Sequence, residues 1–374
     1  MFLKSANTGV SADKYGNYVI KNVETGNQHI IVTAIGMETK KIYVDIFIRK
    51  KGKKINHTRT LGISKSNIDF FIEHIIDVKK ITWKIRKIEI FTDNLKKEKL
   101  INFENNNKEL FSIIKNYKLF ELLEKNLSSN KYLKKIYKNN SLPYLNDYDL
   151  VINTDNLNQI NNKFFNKKII KKYNSYAYTT IIKHKNISND IATQIFTKYG
   201  PLAFLPISNS ETSIVYSIHN SQNKFNINDL IRKYNFQYEI KKIEKIESVE
   251  LKSFSLRSYY HSNILAFGDL LHRIHPLAGQ GFNMTIRDIK ILLDIIKERL
   301  NLGLPLDSTI CLQFEKKLKH KNYIFSNGID LIHELFNFER KLKSNILSKS
   351  IKILSNNSSI NKFFTNVADR GILF

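Results

Sequence analysis

Between Gly268 and Asp288 the chain reads GDLLHRIHPLAGQGFNMTIRD, which gathers two His, two Asp and a Gly-Gln-Gly in a sequence otherwise rich in Lys, Asn and Ile. Asp269 follows the apolar run HSNILAF, so its carboxylate belongs at the carboxyl end of a buried strand, where it can accept hydrogen bonds from ribose or ribityl hydroxyls. Gly279-Gln280-Gly281 stands just ahead of a helix expected to begin near Asn283. Its unobstructed N–H groups and the positive helix end suit an electron-rich ring or a phosphate. His275-Pro276 fixes the loop between, because Pro locks its own φ and biases the residue before it toward extended backbone. Gly268-Asp269 alone is an ordinary turn. Specificity lies in the ordered series: strand, Gly-Asp, His-Pro, Gly-Gln-Gly, Asn, helix.

His272 and His275, three apart, invite a metal reading, but no carboxylate or Cys completes a ligand set. They are read as loop structure, and no metal is expected. Cys311, the one cysteine, excludes an internal disulfide framework; it points to a reducing compartment and a buried thiol.

The elements that must position these residues can be read from periodicity. Ile30 to Val32 and Ile42 to Ile48 are β-branched strand candidates, and Lys80 to Thr92 reads as strand. Ser64 to Ile76 has helical apolar spacing, with Ser64 or Ser66 available as N-cap. Phe111 to Leu127 reads as a short strand and an amphipathic helix. YDLVINTDN, from Tyr148, has the apolar core of a buried strand ending in polar residues. Between Ser175 and His219, short β-rich runs are separated by turn signals at Tyr199-Gly200-Pro201 and Ser208-Asn209-Ser210. This pattern predicts an antiparallel sheet domain inserted in an α/β domain. The stretch after Leu306 reads as helical.

The ordered series in 264–288 resembles the second flavin-binding motif of the FAD-dependent aromatic hydroxylases, in the ubiquinone-biosynthesis branch. That pattern runs Gly-Asp-Ala-Ala-His, His-Pro, Gly-Gln-Gly, Asn, and Asp on the helix; here Leu270 and Leu271 replace the two small residues. TRTLGISKSNIDFF (from Thr58) is similar to the family's Arg-containing segment before its first long helix, and NYKLFELLEKNL (from Asn116) to its next helix. ATQIFTKYGPLAFLPISNSETSIVYSI (from Ala192) is similar to its substrate-domain strands. The likeness runs from about Thr58 onward. It implies an α/β (α+β) fold, with a Rossmann-like FAD-binding domain incomplete at its N-terminus, interleaved with a β-sheet substrate domain and followed by C-terminal helices. The divisions are 1–57, an aberrant remnant of the first nucleotide-binding βαβ unit; 58–174 with 253–305, the FAD-binding segments; 175–252, the substrate sheet; and 306–374, the helices.

The resemblance implies that NAD(P)H reduces FAD and that O₂ then reacts with the reduced flavin to hydroxylate an aromatic ring, that of a polyprenylated ubiquinone precursor. The protein's part is orientation and exclusion of water. The cofactor residues it implies are Arg59, Asp155, Gly268, Asp269, Pro276, Gly279, Gln280, Gly281, Phe282 and Asn283. Tyr176, Tyr178, Phe196 and Phe204 are candidates to line the substrate pocket, beside their ordinary role in packing a sheet. No general base is assigned.

Two positions depart from the pattern. The family's opening Gly-x-Gly-x-x-Gly is missing, with only Gly36 between HIIVTA and the second strand, and Ile48 stands where an acidic residue would hold the adenosine ribose. At Thr154-Asp155-Asn156 the family's Ala-Asp-Gly has lost its Gly, a change Asn tolerates better than most residues. A frameshifted or wrongly started reading frame is the favoured account of the first 57 residues. The other is a chain that has lost tight FAD binding and kept the scaffold. The alternatives in function are a non-catalytic partner in a ubiquinone-biosynthesis assembly and another flavin oxidoreductase acting on isoprenoid lipids.

The formal charge of +26 over 374 residues would usually suggest nucleic acid, but only ten of the sixty basic residues are Arg and the Lys are scattered. Solvated Lys on ordinary surfaces is the preferred reading, with no nucleic-acid partner. No apolar run spans a bilayer and no signal peptide is seen. The expected location is cytoplasmic, with peripheral contact at the inner membrane surface.

Overall fold

The computed structural model of the protein describes residues 2–3, 8–9, 30–31, 44–49, 56–93, 99–104, 109–138, 145–219, 226–274 and 279–342. Two compact units separate: residues 1–48 with 130–137, and residues 49–129 with 138–374. In the first, β1 (Phe2–Leu3) pairs antiparallel with both β2 (Thr8–Gly9) and β3 (Ile30–Ile31). β4 (Val44–Arg49) pairs with a later strand, β10 (Leu133–Lys138). The strands expected at 30–32 and 42–48 are therefore present. β3 pairs with an antiparallel neighbour, and the partner of β4 lies far along the sequence.

The second unit opens with β5 (Thr60–Ser64) and α1 (Lys65–His74), then β6 (Thr82–Ile85), β7 (Lys87–Thr92), β8 (Lys99–Glu104), β9 (Phe111–Lys115) and α2 (Asn116–Ser128). The single strand expected over 80–92 is two, broken at Arg86, whose N–H turns away to the Asp190 carbonyl. Ser64 is the N-cap of α1 but makes no side-chain cap; its own N–H goes to the Asn283 side chain. β5, β9 and β6 form a three-stranded antiparallel sheet. On it Ile63, Ile68, Phe71 and Ile114 are buried with Leu119 of α2.

Next come β11 (Val151–Asn153), α3 (Gln159–Phe164) and the strands of a large sheet: β12 (Lys168–His184), β13 (Ile191–Thr197), β14 (Gly200–Pro206) and β15 (Glu211–His219). α4 (Ile227–Tyr234), β16 (Ile240–Ile243), β17 (Glu247–Leu256), β18 (Tyr260–His261), β19 (Ile264–Ala266) and β20 (His272–Arg273) follow, with a 3₁₀ turn at Gly268–Leu270. The described chain ends in α5 (Gln280–Asn301) and α6 (Ser308–Leu342).

The large sheet has nine strands in the order β20-β17-β12-β15-β14-β13-β7-β8, with β16 beside β12. All its pairings are antiparallel except β13 with β7. The expected antiparallel sheet thus forms, and it recruits β7 and β8 from before residue 105 and β20 from after residue 271. One face packs on α4, burying Ile182, Ile195, Leu202, Phe204, Ile214, Tyr216 and Ile218 with Leu230 and Ile231. Each fully buried aliphatic side chain contributes roughly 1.5–3 kcal/mol. A second core lies between β18, β19, α5 and α6, around Leu265, Ala266, Leu271, Ile295 and Phe314. Cys311 is buried there, and burial pushes its thiol up to about 12.

Candidate functional site

β11 and β19 are parallel neighbours, with Val151, Ile152 and Asn153 opposite Ile264, Leu265 and Ala266. Two short apolar strands far apart in sequence thus end at one edge, and the Phe267 N–H closes it on the Asn153 carbonyl at 2.9 Å. Beyond this edge lie Asp155 and Gly268-Asp269, which sequence reasoning had placed at strand ends separately. Asp155 Oδ1 accepts the Leu157 N–H at 2.9 Å, so part of this carboxylate shapes its own turn. Gly268 has φ +63, a left-handed conformation that excludes most side chains. It presents Asp269 exposed, and that carboxylate makes no hydrogen bond or ion pair among the described residues.

The third component is the start of α5. Gly279 is its N-cap at φ +65, with no side-chain cap. A Cβ on Gly279 would lie 3.9 Å from the Gly62 nitrogen, so the turn sits against the middle of β5; a Cβ on Gly281 would meet Ile274 at 3.6 Å. The helix begins at Gln280, three residues earlier than the spacing suggests. The N–H groups of Gln280, Gly281 and Phe282 are therefore the first-turn donors that no helical carbonyl can satisfy.

Asn283 does not reach into that space. Its side chain is buried and fully used: Nδ2 donates to the Gly62 carbonyl at 2.9 Å and the Gly279 carbonyl at 3.4 Å, while Oδ1 accepts the Ser64 N–H and Asn67 Nδ2, each at 2.9 Å. Asn283, expected among the cofactor residues, uses its side chain as a staple between β5, α1 and α5, because these partners occupy every lone pair and proton of the amide. The Phe282 ring packs toward Phe71, centroids 6.4 Å apart, leaving its backbone for the site. Pro276 and His275 lie outside the described residues. Arg59 is exposed, its backbone held by Asn56 and Asn116, and its side chain has no partner among the described residues.

The large sheet meets these elements through its other face. Thr179 Oγ1 lies 3.3 Å from Thr58 Oγ1, and Ser213 Oγ lies 2.8 Å from Thr60 Oγ1. Successive residues of a strand point to opposite faces, so Tyr178 and Phe204, which pack into the α4-covered core, cannot also face β5. Tyr176 is two residues from Tyr178 in continuous register and shares its face. Of the four aromatics expected around a substrate, only Phe196 lies on the opposite face, where it packs with Ile274 and Met284. The row beside Phe196 on that face is made of other residues. Gln194, Ala203, Val215 and Thr179 pair in sequence across β13, β14, β15 and β12, and all four are half-buried in the middle of a sheet. Their alternation with the buried aromatics was the signal that could have found them.

These features fit a flavin's ring and ribityl chain. Gln280 Oε1 is buried without a hydrogen-bond partner at the head of α5, beside free first-turn N–H groups and an open carboxylate at Asp269. For the pyrophosphate and adenosine the fit is poor: the sequence contains no Gly-x-Gly-x-x-Gly, and Ile48 on β4 is apolar.

Comparison with known proteins agrees with this geometry. Residues 211–301 match the FAD binding domain family. HpxO of Klebsiella pneumoniae, crystallised with FAD and uric acid, superposes with a TM-score of 0.67 at 9% identity, over 86% of this chain and 90% of that one. The fold is that of the FAD-dependent monooxygenases. In sequence the chain is similar to ubiquinone-biosynthesis hydroxylases. It is 23% identical over 273 residues to the ubiquinone biosynthesis monooxygenase COQ6, mitochondrial, of Schizosaccharomyces pombe, covering 60% of this chain and 57% of the relative. To the 3-demethoxyubiquinol 3-hydroxylase of Escherichia coli it is 27% identical over 166 residues, 41% of this chain and 42% of the relative. The chain thus spans about half the length of the curated relatives it matches.

Proposed function

We propose that the protein is an FAD-dependent monooxygenase that hydroxylates the aromatic ring of a polyprenylated ubiquinone precursor, with NAD(P)H as reductant. One observation carries the reading: Gly279 at the head of α5 lies against Gly62 of β5, Gly268 lies against Thr285 of α5, and the open face of the large sheet meets Thr58 and Thr60 at the start of β5 through Thr179 and Ser213. Bound there, flavin supplies the activation of O₂ that no side chain in the site can supply. Asp269 accepts from the ribityl hydroxyls, and the first-turn N–H groups of α5 stabilise negative charge on the ring. Arg59, Asp155 and Gln280 complete the polar rim. Gln194, Ala203, Val215 and Thr179 leave room for a flat ring and, with the sheet behind them, keep water from it. We assign residues 175–252 to the substrate domain, flanked by the flavin-binding segments.

Among the described residues no helix is long and apolar enough to cross a membrane. A prenylated substrate nevertheless resides in lipid, so the reading includes peripheral contact with the inner membrane surface from the cytoplasm and encounters with other ubiquinone-biosynthesis proteins. The test supplies the full chain with FAD, NADPH and a prenylated phenol under ¹⁸O₂. Phenol-dependent NADPH oxidation with one labelled oxygen in the product supports the reading. Flavin binding without turnover favours the non-catalytic partner, and oxidation of the phenol without label favours another flavin oxidoreductase.

A further inference from the structure

His272 and Asp288 bracket the turn that carries Gly279, Gln280 and Gly281, sixteen residues apart in sequence. His272 Nε2 lies 2.6 Å from Asp288 Oδ2, with both side chains at most 2% exposed. Asn322 of α6 donates from Nδ2 to the other carboxylate oxygen at 3.3 Å. The Tyr259 hydroxyl completes the cluster; burial raises its pKa first, and the Asp288 charge adds to the rise. The members come from β20, α5, α6 and the segment between β17 and β18, and the His–Asp bond ties the first residue of β20 to the third turn of α5. A side-chain pair so fully removed from water costs several kcal/mol to desolvate, and apolar residues of the same volume would serve the core as well. What an apolar pair would not supply is direction: a short charge-assisted hydrogen bond fixes distance and angle.

Resting on the flavin reading above, we propose that the His272–Asp288 pair is a positioning device for the flavin-facing turn. It holds the strand leading into that turn in register with the α5 first turn, so that the N–H groups of Gln280 to Phe282 meet the ring. Neither residue faces the candidate site, so both act through the backbone they hold, and neither is catalytic.

The test compares the wild-type chain with His272→Leu and His272→Gln, measuring flavin Kd by fluorescence, the visible spectrum of bound flavin and the urea midpoint of the apoprotein. His272→Leu is expected to raise Kd about tenfold and to blur the resolved shoulder of the flavin band. His272→Gln, whose amide still donates to Asp288, restores both to within about threefold of wild type. Equal flavin binding by all three proteins overturns the proposal. So does a loss in both variants that merely tracks the urea midpoint. If His272→Leu does not fold, Asp288→Asn takes its place: it keeps the shape and removes the charge, and unchanged Kd and spectrum would count against the device. A wild-type chain that binds no flavin at all overturns the functional reading itself, which the variants alone cannot do.

Discussion

At Asp269 a single carboxylate stands exposed at a strand end, held out by a glycine at φ +63 and unclaimed by any described side chain. A charge-assisted acceptor at that edge makes Asp269→Ala weaken flavin binding by about tenfold or more, with little change in fold stability because the side chain packs against nothing. Isothermal titration checks it, and an unchanged Kd removes Asp269 from the site. Asn283, assigned to the same cofactor on spacing, is a different kind of residue. With four hydrogen bonds inside the protein it determines where α5 begins rather than what α5 touches. Its type and position were legible in the sequence, but its partners Ser64 and Gly62, 219 and 221 residues away, were not.

Among the elements, the large sheet decides most. Gly200 opens β14 at φ +139, and a Cβ there would fall 2.0 Å from the Ser217 carbonyl oxygen of β15. Gly200→Ala therefore forces strand separation and should cost about 2–4 kcal/mol in urea unfolding; a smaller loss would show that β14 and β15 can part freely. On the sheet's open face, Val215 sits mid-row between Ala203 and Thr179. Val215→Phe should raise KM for the prenylated phenol by about tenfold while leaving flavin Kd unchanged, because its bulk fills substrate space only. A parallel rise in flavin Kd would move the row from the substrate to the cofactor. Strand periodicity separated Tyr178 and Phe204 from Val215 and Ala203, yet it was silent on which face α4 would cover. That choice is made by the docking of a helix whose buried residues, Leu230 and Ile231, have no local reason to prefer one side.

For the whole molecule, the question is how the flavin's adenosine end is held. In the proposed reading the ring and ribityl end is met by Asp269 and the first turn of α5, while the sequence offers no Gly-x-Gly-x-x-Gly and places Ile48 at the acidic position. The protein should therefore purify with sub-stoichiometric flavin. Inserting a strand, Gly-x-Gly-x-x-Gly and helix ahead of YVDIF, together with Ile48→Glu, should raise occupancy by supplying an N–H cradle and a ribose acceptor. Absorbance of flavin per protein gives the answer. Full occupancy in the unaltered chain would mean that part of residues 1–36 replaces the cradle.

The sequence by itself determined the chemistry of the turn from Gly268 to Asp288, because positive φ, close backbone approach and a helix terminus each demand particular residues at short spacing. It determined the existence and order of the strands between Ser175 and His219 for the same local reason. Only the tertiary structure joined the end of β11 to Phe267, stapled Asn283 to Gly62, turned Tyr178 and Phe204 into the α4-covered core with Tyr176 on the same face, and joined His272 to Asp288. Each of these depends on which buried surfaces meet, and that is settled by the packing of residues far apart in the chain, which no local pattern records.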